Sequence, residues 1–229
     1  MASKKKHLPI QVGSVIYNEK DRLPVWLKYW QPIAERVLII DQGSDDGTQQ
    51  MLKDSGVTWR ERLPHGNADI HWNDLISMTQ SDKPFFRLGV DEFITRANLK
   101  RIARVIKAHP QIVMWWMRRI NWVNGIDACE HPEVKKMLND DLQAVISFGR
   151  PYTFTGQIHG WPVIRVPGDK VGYIERDLAW VDHRRTLDGI IEANVSREHM
   201  CRTQSSNDQT WFLRVCKELV DGNYTKVDE

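Results

Sequence analysis

The sequence predicts an α/β fold: a mostly parallel central sheet flanked by helices, with a smaller irregular half behind it. Three observations carry this. Apolar runs of strand length alternate with segments of helical periodicity over residues 10–110, the rhythm of βαβ units. One run, Val37-Leu38-Ile39-Ile40, is uniformly apolar, as strands inside parallel sheets are. A second, Phe85 to Val90, is broken only by Arg87 and ends abruptly in Asp91-Glu92, at the strand end where open α/β sheets bind ligands.

Taken in order, residues 1–9 are a basic lead-in with Lys4-Lys5-Lys6. Ile10 to Tyr17 alternates as a first strand, followed by the polar stretch Asn18 to Arg22. Leu23, Trp26, Leu27 and Trp30 recur at helical spacing, with Pro24 suited to the first turn. Arg36–Ile40 is the second strand; Asp41 to Thr48 is a polar turn rich in helix-capping residues, and a helix runs over 49–54. Val57–Arg62 is a third strand, 68–79 a helix, Phe85–Val90 the fourth strand, and Ala97–Ala108 a helix. A strand over Ile112–Met117 runs into Arg118–Trp122, and one of Trp115 and Trp116 must face inward because neighbouring strand residues point opposite ways. Residues 123–143 read as polar and irregular. Strand pieces follow near 144–148, 160–166 and 171–174, and helices over 187–195 and 208–220 close the chain. The working division is a lead-in (1–9), a first half (10–110), a second half (111–195) and a C-terminal helix with tail (196–229), compact as one domain.

Composition narrows the class. With 41% hydrophobic and 27% charged residues over 229 positions, the chain is an ordinary globular protein. A net charge of +2 is too mild to require a polyanionic partner. Cys129, Cys201 and Cys216 are odd in number and lack metal spacing, which suggests free thiols in a reducing compartment. The basic start is followed by no apolar segment, and no run approaches the roughly 18 apolar residues of a membrane span, so the expected address is the cytoplasm.

Three strand ends carry the same chemistry: Asn18-Glu19, then Asp41 with Ser44 and Asp46, then Asp91-Glu92. In a parallel sheet they gather on one edge, where carboxylates and hydroxyls can bond a base or ribose and hold a hard divalent cation on a diphosphate. No glycine-rich dinucleotide or P-loop pattern is present, so bound phosphates would need a metal to neutralise them. Singly, Asp41–Thr48 reads first as a helix-capping turn, and Asp91-Glu92 equally as a solvated strand end; the three strand ends together favour the ligand-binding reading.

Tyr17-Asn18-Glu19 with Leu23-Pro24-x-Trp26-Leu27, then Ile40-Asp41-Gln42-Gly43-Ser44-Asp45-Asp46-Gly47-Thr48, then Leu88-Gly89-Val90-Asp91-Glu92-Phe93 resembles the family 2 glycosyltransferases of the GT-A fold. The likeness is to the short members whose acidic motif reads Leu-Asp-x-Asp-Glu-Phe. Gly156-Gln157-Ile158-His159-Gly160 and Trp180-Val181-Asp182-His183-Arg184 are similar to a later Gly-x-Ile-His-Glu and Ile-x-His pair.

The resemblance implies a nucleotide-diphosphate sugar donor, with a UDP-sugar foremost, and a Mn²⁺ or Mg²⁺ ion. It implies that Tyr17, Asn18 and Glu19 line the nucleotide pocket with Ser44 and Asp46, that Asp41 contacts the base, and that Asp91 ligates the metal. A histidine, His183 or else His159, would complete the metal shell. Two positions depart from the pattern. Gly89 stands where the first aspartate is usual, with Glu92 a partial substitute, and Gly160 replaces the glutamate after His159. An inverting transfer needs one carboxylate to deprotonate the acceptor hydroxyl. Asp141 is the first candidate, followed by Asp140 and Glu130, with Asp127 also in that half. Arg184 and Arg185 could grip the diphosphate.

The sequence does not specify the acceptor hydroxyl, which could belong to a glycan, lipid, protein or modified nucleic acid, nor the oligomeric state. Trp115, Trp116, Trp122 and Trp161 could stack a sugar or base, and Lys4-Lys5-Lys6 with Arg118-Arg119 keep a nucleic-acid acceptor in view. Two rivals stand beside the transferase. One is a non-catalytic nucleotide-sugar-binding protein of the same fold, for which Gly89 is the argument. The other is a nucleotidyltransferase, which should show a glycine-rich basic lead after the first strand where Tyr17-Asn18-Glu19 stands.

Overall fold

In a computed structural model, residues 7–63, 69–133, 142–147, 152–154, 162–164, 170–175, 178–191 and 206–222 are described. The chain forms two compact units. One is drawn from residues 1–91, 102–116 and 144–174, the other from 92–101, 117–143 and 175–229.

The first unit is built on parallel strands β1 (Leu8–Ile16), β2 (Ala34–Asp41), β3 (Thr58–Glu61) and β4 (Phe85–Arg87), in the order β3-β2-β1-β4. β8 (Leu142–Ser147) continues the sheet antiparallel to β4. Helix α1 (Leu23–Trp30) opens with Pro24, whose missing N–H has no helical partner to lose, and buries the expected Leu23, Trp26, Leu27 and Trp30. Helix α2 (Thr48–Ser55) starts after Gly47 at φ 103° and stops at Gly56 at φ 70°, left-handed positions that suit glycine. Helix α3 (Asp69–Ser77) lays Trp72 and Leu75, with Met78 just beyond it, against Leu38, Ile40 and Phe85. Each such fully buried aliphatic contributes about 1.5–3 kcal/mol. Gly13 lets this packing close, since a β-carbon there would sit 2.8 Å from the Phe85 ring and 3.0 Å from the Leu38 carbonyl.

β4 is shorter than the apolar run suggests. Its pairing with β1 ends at Arg87, one more bond runs from Leu88 N–H to the Gly13 carbonyl (3.0 Å), and Val90-Asp91 turn. Leu88 and Val90 stay buried without being strand, which is why hydropathy reads through them. In the same unit Trp115 is buried and Trp116 half-buried, the alternation expected of β6 (Ile112–Val123). Trp115 lies over Gly172 of β11 (Lys170–Ile174), where a β-carbon would stand 2.5 Å from the indole. β9 (Tyr152–Phe154) and β10 (Pro162–Ile164) pair antiparallel.

In the second unit β12 (Val181–Arg185) lies parallel to β6 and antiparallel to the two-residue β5 (Glu92–Phe93). β7 (Ile126–Asp127) and a 3-10 turn (Ala128–Glu130) stand where the sequence reads as irregular. The helix α4 (Arg96–Ala108) begins in this unit. A helix starting at Leu187 is described to residue 191. The last helix, α5 (Ser206–Asp221), packs Val215, Cys216 and Leu219 on Val123, Ala128 and Ile190. Burial pushes the Cys216 thiol up to about 11, so it stays protonated at neutral pH. Among the described residues no helix is long and apolar enough to cross a membrane.

Candidate functional site

The first unit carries an interlocked set of loops at the carboxyl ends of β1, β2 and β4. Asp41 closes β2 fully buried. Its Oδ2 accepts from the N–H groups of Gly43 (3.1 Å) and Ser44 (3.0 Å) and from Gln49 Nε2 (2.8 Å), and its Oδ1 accepts from Ser44 Oγ (2.5 Å). Three of these bonds fall on Oδ2 and one on Oδ1. Asp41 thus organises its own loop chiefly through Oδ2, and a contact to a base would use the remaining capacity of Oδ1 or replace one of these bonds.

Ser44 passes the order on. Its hydroxyl donates to Asp41 and accepts from the backbone N–H of Asn18 at 2.8 Å. Asn18, at φ 53°, occupies the left-handed region that asparagine tolerates better than most residues. Its side chain pairs with Asp45 through Nδ2 to Oδ1 (2.9 Å) and from the Asp45 N–H to its own Oδ1 (3.0 Å). Glu19 N–H donates to Thr48 Oγ1 (3.0 Å) and Lys20 N–H to Asp46 Oδ2 (3.1 Å), while Asp46 Oδ1 accepts from Thr48 N–H at the start of α2 (2.9 Å). Burial pushes the Asp46 carboxyl up, but hydrogen bonds from Thr48 and the Lys20 N–H outweigh it and hold the group below the usual carboxylate range. Tyr17 leads into this loop with its ring partly exposed.

The third strand end joins through Arg22. Its guanidinium grips Glu19 by two bonds, Nε to Oε2 (2.6 Å) and Nη2 to Oε1 (3.0 Å), and its Nη1 lies 3.8 Å from Asp91 Oδ2. Desolvation pushes the Glu19 carboxyl up to about 7; Arg22 opposes this, and the neighbouring Asp91 and Asp46 charges reinforce it. Glu19 and Asp91 thus both face the Arg22 guanidinium. Among the described residues, no three histidine, cysteine, aspartate or glutamate side chains gather as a group that could hold a metal ion. Gly89 adds no side chain to this cluster.

The second unit has its own buried polar row. On β5, β12 and β6, Glu92, His183 and Asn121 stand side by side in register, and all three are buried. Asn121 Oδ1 lies 2.6 Å from His183 Nδ1, and since the amide oxygen only accepts, the ring N–H donates this bond. Glu92 accepts from Arg119 Nη1 at 3.1 Å. Next to His183, Asp182 accepts from the indole N–H of both Trp122 (3.0 Å) and Trp180 (2.9 Å). Arg184 lies 3.6 Å from Asp182 and over the Phe93 ring. Glu130 is exposed on the 3-10 turn. Asp140, Asp141, His159 and Trp161 lie outside the described residues.

Sequence reasoning gave no role to Arg22, Asp45, Gln49, Asn121 or Asp182. For Arg22 a signal existed: it stands three residues after Glu19, immediately before the helix that Pro24 opens.

No family model matches the sequence. No curated protein matches it either. Solved structures do. Glucosyl-3-phosphoglycerate synthase from Mycobacterium tuberculosis, in complex with phosphoglyceric acid, is similar at TM-score 0.50 and 15% identity, over 86% of this chain and 81% of that one. Mannosyl-3-phosphoglycerate synthase from Rubrobacter xylanophilus matches at TM-score 0.48 and 12% identity, over 97% and 77%. S. aureus TarS matches at TM-score 0.42 and 15% identity, over 51% of this chain, which spans only 22% of TarS. The likeness is one of fold. The fold is α/β of the GT-A type, with a parallel sheet at the centre of its first unit.

Proposed function

We propose that the chain is a glycosyltransferase that moves a sugar from a nucleoside-diphosphate donor to a hydroxyl acceptor. The observation that supports this best is the interlock of the β1 and β2 loops through Asn18, Ser44 and Asp45, beside the Glu19–Arg22–Asp91 cluster at the end of β4. In this reading the loops of Tyr17–Glu19 and Asp41–Asp46 receive the nucleoside, with UDP the foremost candidate. The Asp91 carboxylate lies at the diphosphate. A divalent cation held there, Mn²⁺ or Mg²⁺, would supply Lewis-acid stabilisation of the departing nucleoside diphosphate.

The proposed transfer is a single displacement with inversion. The acceptor oxygen forms a bond to the anomeric carbon as the bond from that carbon to the diphosphate oxygen breaks. The electron pair leaves with the nucleoside diphosphate, and the hydroxyl proton passes to a carboxylate. The candidates for that base are still Asp141, Asp140 and Glu130.

The test is nucleoside diphosphate release from a panel of nucleotide-sugars with Mn²⁺. Release that disappears in Asp91→Ala and in EDTA supports the transferase. Gly89 favours one second reading, a binding protein of the same fold without turnover. It would show donor-induced thermal stabilisation but no release with any acceptor offered.

A further inference from the structure

We propose that Gln49 is the residue that admits the base: its side-chain amide occupies the position on Asp41 that a nucleobase N–H takes over, and Glu61 keeps the amide when it leaves. This deepens the donor-site reading above and rests on it.

Asp41 is fully buried, so a ligand reaches its carboxylate only when a neighbouring group moves aside. Most of its hydrogen-bond donors are fixed. The N–H groups of Gly43 and Ser44 belong to the turn after β2, and the Ser44 hydroxyl is held from its other side by the Asn18 N–H. Gln49 differs. It is the second residue of α2, half-buried, and joins Asp41 only through the tip of a long side chain (Nε2 to Oδ2, 2.8 Å). Rotating that side chain uncovers Oδ2 and leaves the backbone of the loop in place.

A second acceptor is already in place. Asp41 at the end of β2 pairs in register with Glu61 at the end of β3, so the two carboxylates stand on one face of the sheet. Gln49 Nε2 reaches both, at 2.8 Å from Asp41 Oδ2 and 3.1 Å from Glu61 Oε1. A carboxylate only accepts, so each takes one of the two amide hydrogens. When the Asp41 bond breaks, the amide still has Glu61, which is exposed and can follow it toward solvent. The exchange conserves bonds: Asp41 loses an N–H from Gln49 and gains one from the base. Two opposite roles follow for neighbouring side chains. Gln49 competes with the base for Asp41, and Glu61 assists the base by holding Gln49 away. A mere bolt between α2 and the sheet would do neither.

The experiment titrates the full chain with uridine, cytidine, guanosine and adenosine by ligand-observed NMR and follows the tightest of them through a double-mutant cycle. Neutral nucleosides are used because removing a carboxylate then changes no long-range attraction. Gln49→Ala is expected to bind the nucleoside about fivefold tighter, since the bond that the base has to break is gone. Glu61→Ala is expected to bind it about threefold weaker, because the departing amide has lost its acceptor. In the double variant the Glu61 effect vanishes. Glu61 is exposed, so its variant carries the test if Gln49→Ala does not fold. Unchanged or weaker binding in Gln49→Ala, unchanged or tighter binding in Glu61→Ala, or a Glu61 effect that persists without Gln49 overturns the proposal. Wild-type protein that binds a nucleoside diphosphate but no nucleoside overturns the proposal and leaves the donor-site reading standing. Wild-type protein that binds neither nucleosides nor their diphosphates overturns both.

Discussion

Asn18 and Asp45 hold each other twice, by a side-chain amide donated to a carboxylate oxygen (2.9 Å) and a backbone N–H donated to the amide oxygen (3.0 Å). The pair locks the β1 loop to the β2 loop with Asn18 at φ 53°. Asn18→Ala loses both bonds and keeps a β-carbon in a left-handed conformation; Asn18→Gly loses the bonds but relieves the strain. Urea unfolding should show both variants less stable than wild type, with alanine the worse by about 1 kcal/mol. Equal stability of the two variants would mean the loop relaxes out of that conformation.

Asp41 should be intolerant of its own isostere. Asn keeps an acceptor oxygen at only one of the two sites, so its NH2 group meets either the Ser44 hydroxyl hydrogen or the Gly43, Ser44 and Gln49 N–H donors. Asp41→Asn is expected to cost about 2–3 kcal/mol, since a buried donor facing donors forfeits its desolvation. Equilibrium unfolding of the ligand-free protein measures this. A loss of less than 0.5 kcal/mol, roughly the scatter of surface substitutions, would show that the carboxylate does not order the loop.

Glu19 gives the site a pH signature. Its carboxyl is raised from 4.5 to about 7 in the folded chain. The folded state therefore binds the proton more tightly than the unfolded one. Its contribution to stability is present below pH 4.5 and declines as pH rises through about 7. Glu19→Gln, which cannot ionise, should gain on wild type as pH goes from 5 to 8, by an amount on the order of a few kcal/mol. Paired denaturation curves at several pH values cancel every other group. A difference between the two proteins that stays flat with pH would refute the shift.

The second unit depends on Asp182. Two tryptophan N–H groups converge on its Oδ1 in a buried setting. Asp182→Leu leaves both donors unsatisfied and should destabilise by about 2–4 kcal/mol, with Asp182→Asn, which retains an acceptor oxygen, well below that. Tryptophan fluorescence during unfolding reads both the stability and the indole environment. Equal losses in the two variants would argue for packing over hydrogen bonding.

Several features were open to inspection from residue order alone. Leu23, Trp26, Leu27 and Trp30 declared α1, because helical spacing and burial on one face are the same statement. Val37–Ile40 declared a strand covered on both faces, and β2 is that strand. The loops after β1 and β2 were legible as polar turns, and their meeting on one edge follows once the strands are parallel and adjacent.

Other features were not legible, for a common reason. β12 reads Val-Asp-His-Arg-Arg, a polar string, yet Asp182 and His183 are buried. Asp182 takes one bond from nearby Trp180, but its second, from Trp122, and the His183 bond to Asn121 reach across 60 and 62 positions, which residue order does not reveal. The early stop of β4 was hidden as well, since Leu88 and Val90 are buried whether or not they pair.

The chain's own order thus determined which segments are helix and strand, the parallel sheet, and the acidic loops at its edge. These follow from short-range periodicity and from where charge cannot be buried. Only the tertiary structure decided that Asp41 spends its lone pairs on its own loop and that Arg22 stands between Glu19 and Asp91. Hydrogen bonds and ion pairs depend on distances of a few ångströms between residues that are remote in sequence, and folding alone sets those distances.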